Sequence, residues 1–182
     1  MNTRLFGVQA LDPARTQEIM EANKLSLGIF AKQGGHKAPI MIGAEGCYTF
    51  DHRGRKVLDI FAHQMSVNLG YNRKESNLAR FKQGEVLSPV RPQAFTEIRG
   101  EVNKMMTDFC KMEKVYYTNT GAEGNEKAIA MSRMMRGLPN GLILSRFPSY
   151  HGSTSVAMSA SGDFRIAVRG EIPGHVRVKD TP

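Results

Sequence analysis

Hydrophobic and polar positions divide this chain into stretches of helical and strand-like period. Asp12-Pro13 reads as a helix start, with a carboxylate to cap free N–H groups and proline at the first helical position, and the helix should run to about Lys24. Lys32 to Lys37 reads as a Gly-Gly loop. From Pro39 the apolar runs shorten: Ile40-Met-Ile42, Cys47-Tyr-Thr-Phe50 and Val57-Leu-Asp-Ile-Phe61 predict a small β-meander. Its polar turn is Asp51-His-Arg-Gly54, where glycine supplies the positive φ a tight turn needs. Ser66-Val-Asn-Leu-Gly-Tyr71 closes this part, and Asn72 is placed to cap a helix through Leu78, Ala79 and Phe81. Thr96 should cap the clearest amphipathic helix, with Ile98, Val102, Met105, Met106 and Phe109 at a 3.6-residue period. That face is expected to pack on a core, its methionines filling gaps.

The richest pattern lies in Val115-Tyr-Tyr-Thr-Asn-Thr-Gly-Ala-Glu-Gly-Asn-Glu126, where an apolar strand runs into a small-residue turn and then a helix. The first N–H groups of a helix have no intrahelical acceptor and sit at the positive end of its dipole, so Gly121 and Ala122 suit an anion. The turn matches neither the P-loop nor the dinucleotide fingerprint, so an ordinary strand-to-helix connection is the other reading. Ala128, Ile129, Met131, Ser132 and Met135 mark the expected buried stripe, and Gly137 and Pro139 end the helix. Gly141-Leu-Ile-Leu-Ser145 reads as a buried strand of a mainly parallel sheet. Ligands of open α/β sheets gather beyond the carboxyl ends of the strands, where both the cradle and Ser149-Tyr-His-Gly152 would lie.

Composition narrows the function. With 182 residues, 41% hydrophobic and 23% charged, the chain reads as globular and can bury a core. Its net charge of +8 comes from scattered Lys and Arg interleaved with acids, so nucleic acid is not an expected partner. Cys47 and Cys110 lie too far apart in sequence for metal-ligand spacing and are expected to be reduced and packed. His36, His52, His63, His151 and His175 form no chelating pattern, so no metal site is expected. No apolar run reaches the roughly 20 residues a membrane span needs, and the N-terminus lacks a signal-peptide core, which makes a cytoplasmic protein the default.

Five pieces, in order, resemble the class III (omega) aminotransferases, pyridoxal-phosphate enzymes of fold type I. They are Gly46-Cys-Tyr-Thr-Phe-Asp51 with Gly54-Arg-Lys-Val-Leu-Asp59, Ser66 to Tyr71, Thr118 to Glu126, Ser149-Tyr-His-Gly152, and Ser161-Gly-Asp163. The flavour is closest to members that pass an amino group from an omega-amino acid, amine or taurine to pyruvate. The resemblance implies an α/β fold: an incomplete large-domain sheet with flanking helices, preceded by a small helix and meander. Residues 1–60 would contribute to the small domain and 61–182 would form the first part of the cofactor-binding large domain.

By the same resemblance Thr120, Gly121 and Ala122 would hold the phosphate of pyridoxal 5′-phosphate, and Tyr150 would lie against its ring, the alternative being a buried structural tyrosine. His151 would contact the cofactor or support the residues that do. Met65 stands where relatives often carry a pocket aromatic, so it is a substrate-side candidate as well as an ordinary core methionine. The partners implied are a small-molecule amino donor and a keto acid, within a homodimer.

The lysine that bonds to the cofactor and the aspartate facing the pyridine nitrogen belong to the family's later half. Lys127 on the cradle helix and Lys179 near the end do not stand in that lysine's context, so no catalytic residue is assigned. Phe164-Arg-Ile-Ala-Val-Arg-Gly170 departs from the family's usual arginine-rich, proline-containing segment, and Gly124 replaces a common alanine. The chain alone is therefore expected to be an inactive N-terminal portion with open strand edges and uncovered apolar faces; the alternative is a noncatalytic interaction subunit keeping only the cradle.

Overall fold

Asp12 starts the first helix as its position predicts. In the computed structural model, which describes residues 9–25, 39–87 and 89–179, its carboxylate accepts from the N–H of Arg15 at 2.8 Å and Pro13 opens α1, Pro13–Asn23. The Lys32–Lys37 loop lies outside the described residues. The meander forms as an antiparallel sheet of order β1-β2-β3, with β1 Met41–Glu45, β2 Tyr48–Asp51 and β3 Lys56–Leu58. The buried Asp51 carboxylate ties its second turn by accepting from the N–H groups of Arg53 and Arg55, each at 2.9 Å, and Gly54 sits at φ +77°.

The meander's last strand stops at Leu58, before the expected Phe61, because the chain turns into α2, Ala62–Met65. Ala62, His63, Gln64 and Met65 all have φ between 46° and 64°, a left-handed turn. The Asp59 carboxylate accepts from the N–H groups of Phe61 and His63 at 3.0 and 2.8 Å and from the Tyr71 hydroxyl at 2.6 Å. Arg73, not Asn72, occupies the cap position of α3, Lys74–Val86. Asn72 is left-handed at φ 55° and donates its amide to the Ala44 carbonyl instead, so its hydrogen-bonding capacity goes to the meander.

The chain divides into two units, Met1–Ala94 and Phe95–Pro182. The second opens with α4, Glu97–Cys110, capped by the Thr96 hydroxyl accepting from Arg99 N–H at 3.3 Å. Its apolar face meets no core among the described residues: Met105 is 69% and Phe109 84% exposed, with Ile98 and Met106 also open. The expected strand at Val115 pairs with nothing among the described residues, and a ladder needs a neighbour. Cys47 and Cys110 are free, as expected, but exposed rather than packed.

Helix α5, Gly121–Arg136, ends on left-handed Gly137, as the glycine signal predicts. It leads to β4, Ile143–Phe147, which pairs in parallel with β5, His175–Lys179, in the register Ile143 to His175 through Phe147 to Lys179. The strand begins two residues later than expected because Gly141 is spent on a turn, its N–H donating to the Leu138 carbonyl at 2.9 Å. Between the strands lie α6, Ser155–Ala160, and α7, Ile166–Arg169. The buried centre of this unit is α6 and its exit, with Ala157, Met158, Ser159, Ala160 and Ser161 all enclosed.

Candidate functional site

The start of α5 is built by local hydrogen bonds. Thr120, extended at φ −138°, accepts at its hydroxyl from Glu123 N–H at 3.2 Å, while the Glu123 carboxylate reaches back to Asn119 N–H at 2.8 Å. This is close to a capping box, with the acid taking the N–H one residue before the cap. The Gly124 N–H bonds to the Thr120 carbonyl at 3.1 Å, closing the first turn. Among the described residues no acceptor is found for the N–H groups of Gly121 and Ala122. They are the uncommitted donors at the positive end of a 16-residue helix.

The loop after β4 closes on this terminus. Gly152 has φ +138°, and a Cβ there would come within 2.6 Å of Ala122 Cβ and 2.8 Å of Ala122 Cα, so glycine is what permits the approach. Asn125 donates its amide to the His151 carbonyl at 2.6 Å, and the Glu126 carboxylate accepts from the N–H groups of Val156 and Ala157 at 3.0 and 3.5 Å. His151 N–H donates to Ser161 Oγ at 2.9 Å. The backbone of the loop is thus fixed from α5 on one side and the exit of α6 on the other.

The result is a cleft of ≈ 580 Å³ bordered by Thr120, Gly121, Ala122, Tyr150, His151 and Gly152. Thr154 borders it too, and its Oγ1 is buried without a partner among the described residues, leaving an unused hydrogen-bonding group there. Free N–H donors, a spare hydroxyl and an exposed aromatic face suit a flat ligand bearing a phosphate-like anion. Beside Tyr150, Asp163 and Arg165 form an ion pair at 2.6 Å. The Arg165 guanidinium, then its backbone N–H, hold the Asp163 carboxyl down at about 2, against an ordinary 3.8.

Five of the six residues singled out from sequence therefore meet at one cleft. Met65 lies in the first unit, 70% exposed at the end of the left-handed turn. The Tyr71 hydroxyl, opposed by desolvation and aided by the N–H groups of His63 and Phe61, keeps the Asp59 carboxyl beneath that turn below its usual range. Gly152, Asn125, Glu126 and Arg165 were not singled out. The Thr120-to-Glu123 spacing was a readable capping signal; the fit of Gly152 against Ala122 left no local trace.

A parallel strand pair with a helix N-terminus and loop opening onto a cleft defines an α/β ligand-binding unit. The chain belongs to the aminotransferase class-III family, whose model matches residues 29–179. It is 32% identical over 152 residues to a putrescine–pyruvate aminotransferase of Pseudomonas aeruginosa, covering 78% of this chain and 33% of that protein. An uncharacterised aminotransferase of Bacillus subtilis is 33% identical over 141 residues, covering 72% of this chain and 31% of that protein. The taurine:2-oxoglutarate aminotransferase of Bifidobacterium kashiwanohense, solved with PLP and glutamate, superimposes with a TM-score of 0.84 at 31% identity, over 91% of this chain and 38% of that one. The α/β fold is that of these enzymes, and this chain spans about a third of the length of the two curated relatives. Among the described residues no helix is long and apolar enough to cross a membrane, and no His, Cys, Asp and Glu group could hold a metal ion.

Proposed function

We propose that this chain carries the cofactor-phosphate grip of a pyridoxal-phosphate aminotransferase that moves an amino group from an amino acid or amine to a keto acid, with pyruvate as acceptor. The observation that supports this most is the pair of free N–H donors at Gly121 and Ala122 beside the exposed face of Tyr150. Pyridoxal phosphate would supply an electron-accepting ring. Thr120, Gly121 and Ala122 hold its phosphate, the N–H groups donating and the Thr120 hydroxyl fixing the turn. Tyr150 offers its face to the ring and excludes water, and His151, with both backbone groups bonded, forms the adjoining wall. Met65, in the first unit, is the substrate-side candidate, a soft side chain that would adapt to the donor.

In this reading residues 1–60 contribute to the small domain and 61–182 to the large one, and the working enzyme is a cytoplasmic homodimer. The open apolar face of α4 supports a covering partner surface. None of the lysines here is assigned the bond to the cofactor, so the chain alone binds without turnover. The test compares pyridoxal 5′-phosphate with pyridoxal by equilibrium dialysis. Loss of the phosphate, which takes two charge-assisted hydrogen bonds, should weaken binding on the order of 100-fold. Equal affinities would sink the phosphate grip, and alanine formation from pyruvate by the chain alone would overturn its inactivity.

A further inference from the structure

The wall of the cleft at Tyr150 is backed by the segment around Gly162. Gly162 lies alongside Ser149: its N–H donates to the Ser149 carbonyl at 2.9 Å, and the Ser149 N–H returns a bond at 3.4 Å. Gly162 is buried, and a Cβ there would come within 2.9 Å of the Arg146 carbonyl and of Phe147 Cα. The close approach carries the next residues over Tyr150. The guanidinium carbon of Arg165 lies 4.5 Å from the centroid of the Tyr150 ring, over its face.

Arg165 is not free to leave. Its Nε and Nη2 donate to the two carboxylate oxygens of Asp163 at 2.7 and 2.6 Å, a bidentate grip, and its backbone N–H donates to the same carboxylate at 2.9 Å. The Arg165 side chain is only 23% exposed, whereas Tyr150 is 56% exposed. Tyr150 borders the cleft and Arg165 does not, so the guanidinium covers a part of the ring that the cleft leaves alone.

We propose that Arg165, locked by Asp163, is a positioning residue for Tyr150: it stacks on one ring face and fixes the ring plane, leaving the other face for a flat, anionic ligand in the cleft. Only the identity of that ligand rests on the pyridoxal-phosphate reading. A planar guanidinium can lie parallel to an aromatic ring, which an ammonium cannot do, so charge alone does not suffice.

The test uses the chain with Arg165→Met, Arg165→Lys and Asp163→Asn, each checked for folding by circular dichroism. Ring motion of Tyr150 is followed by NMR on ring-labelled tyrosine, its signals assigned with Tyr150→Phe among the chain's 5 tyrosines. Dissociation constants are measured for pyridoxal 5′-phosphate and for inorganic phosphate. Arg165→Met should mobilise the Tyr150 ring selectively and weaken the cofactor roughly three- to tenfold, with phosphate changed less than about twofold. Arg165→Lys should not restore the ring, and Asp163→Asn should fall between. An equally ordered ring in Arg165→Met, or a parallel loss for both ligands, overturns the proposal. If the unaltered chain binds neither ligand, the phosphate grip is wrong, and the ring measurement still decides the role of Arg165.

Discussion

Gly152 sets how closely the loop after β4 can approach the start of α5, and the two glycines of the cleft answer to different demands. At Gly152 both φ and space require glycine, whereas a Cβ on Gly121 would meet nothing within 4 Å. Gly152→Ala should therefore cost about 1–3 kcal/mol in denaturant melts, by forcing the loop off Ala122, and weaken phosphate binding with it. Gly121→Ala should leave stability unchanged or slightly raised, since alanine favours a helix by up to ~1 kcal/mol and less in the first turn. Equal losses at both positions would contradict this. Asp163 sets the acid limit of its pair with Arg165. Its folded value of about 2 lies below the ordinary 3.8, so the Asp163–Arg165 pair stabilises the fold above the higher value and fades as pH falls through the lower one. Carboxyl NMR should show the Asp163 midpoint moving up toward 3.8 in Arg165→Met; an unmoved midpoint would remove Arg165 as the cause.

The helices show where periodicity is informative and where it misleads. Capping chemistry is local, so Asp12, Thr96, Thr120 and Gly137 all mark real helix ends. The stripe expected on α5 is largely exposed; the packed side carries Ala122, Asn125, Glu126, Ile129 and Arg133. Three of these are polar and pack because each ties to backbone, Arg133 through Nε to the Gly141 carbonyl at 3.1 Å. Hydrophobic period cannot reveal a face held by such bonds. On α4 the helical period is right but the face is open among the described residues, so Phe109→Glu should change stability by less than ~0.5 kcal/mol while lowering dye binding and self-association of the chain. Helix α6 is the reverse: short, weakly patterned and central. Met158, 2% exposed, is the large apolar side chain at its heart, and Met158→Ala should cost about 2–5 kcal/mol in the second unit, read by amide exchange.

For the whole molecule, the meander and the cleft were legible because their signals are short-range: turn glycines, caps, and motif pieces that meet in the order they are written. The strand at Val115 and the packing expected of α4 were not borne out: among the described residues Val115 has no strand neighbour, and Met105 and Phe109 stay exposed, and a local apolar pattern carries no record of what lies opposite it. Folded chains hold only a small surplus of stability, so every unfavourable local conformation matters to the total. That gives the turn at Ala62 to Met65 a consequence of its own. Left-handed backbone costs an L-residue roughly 1–2 kcal/mol, and none of these four residues is glycine. Three acceptor bonds at Asp59 offset the cost. Here the usual rule about glycine is inverted: Gln64→Gly, at an exposed position with φ 57°, should raise the melting temperature instead of lowering it.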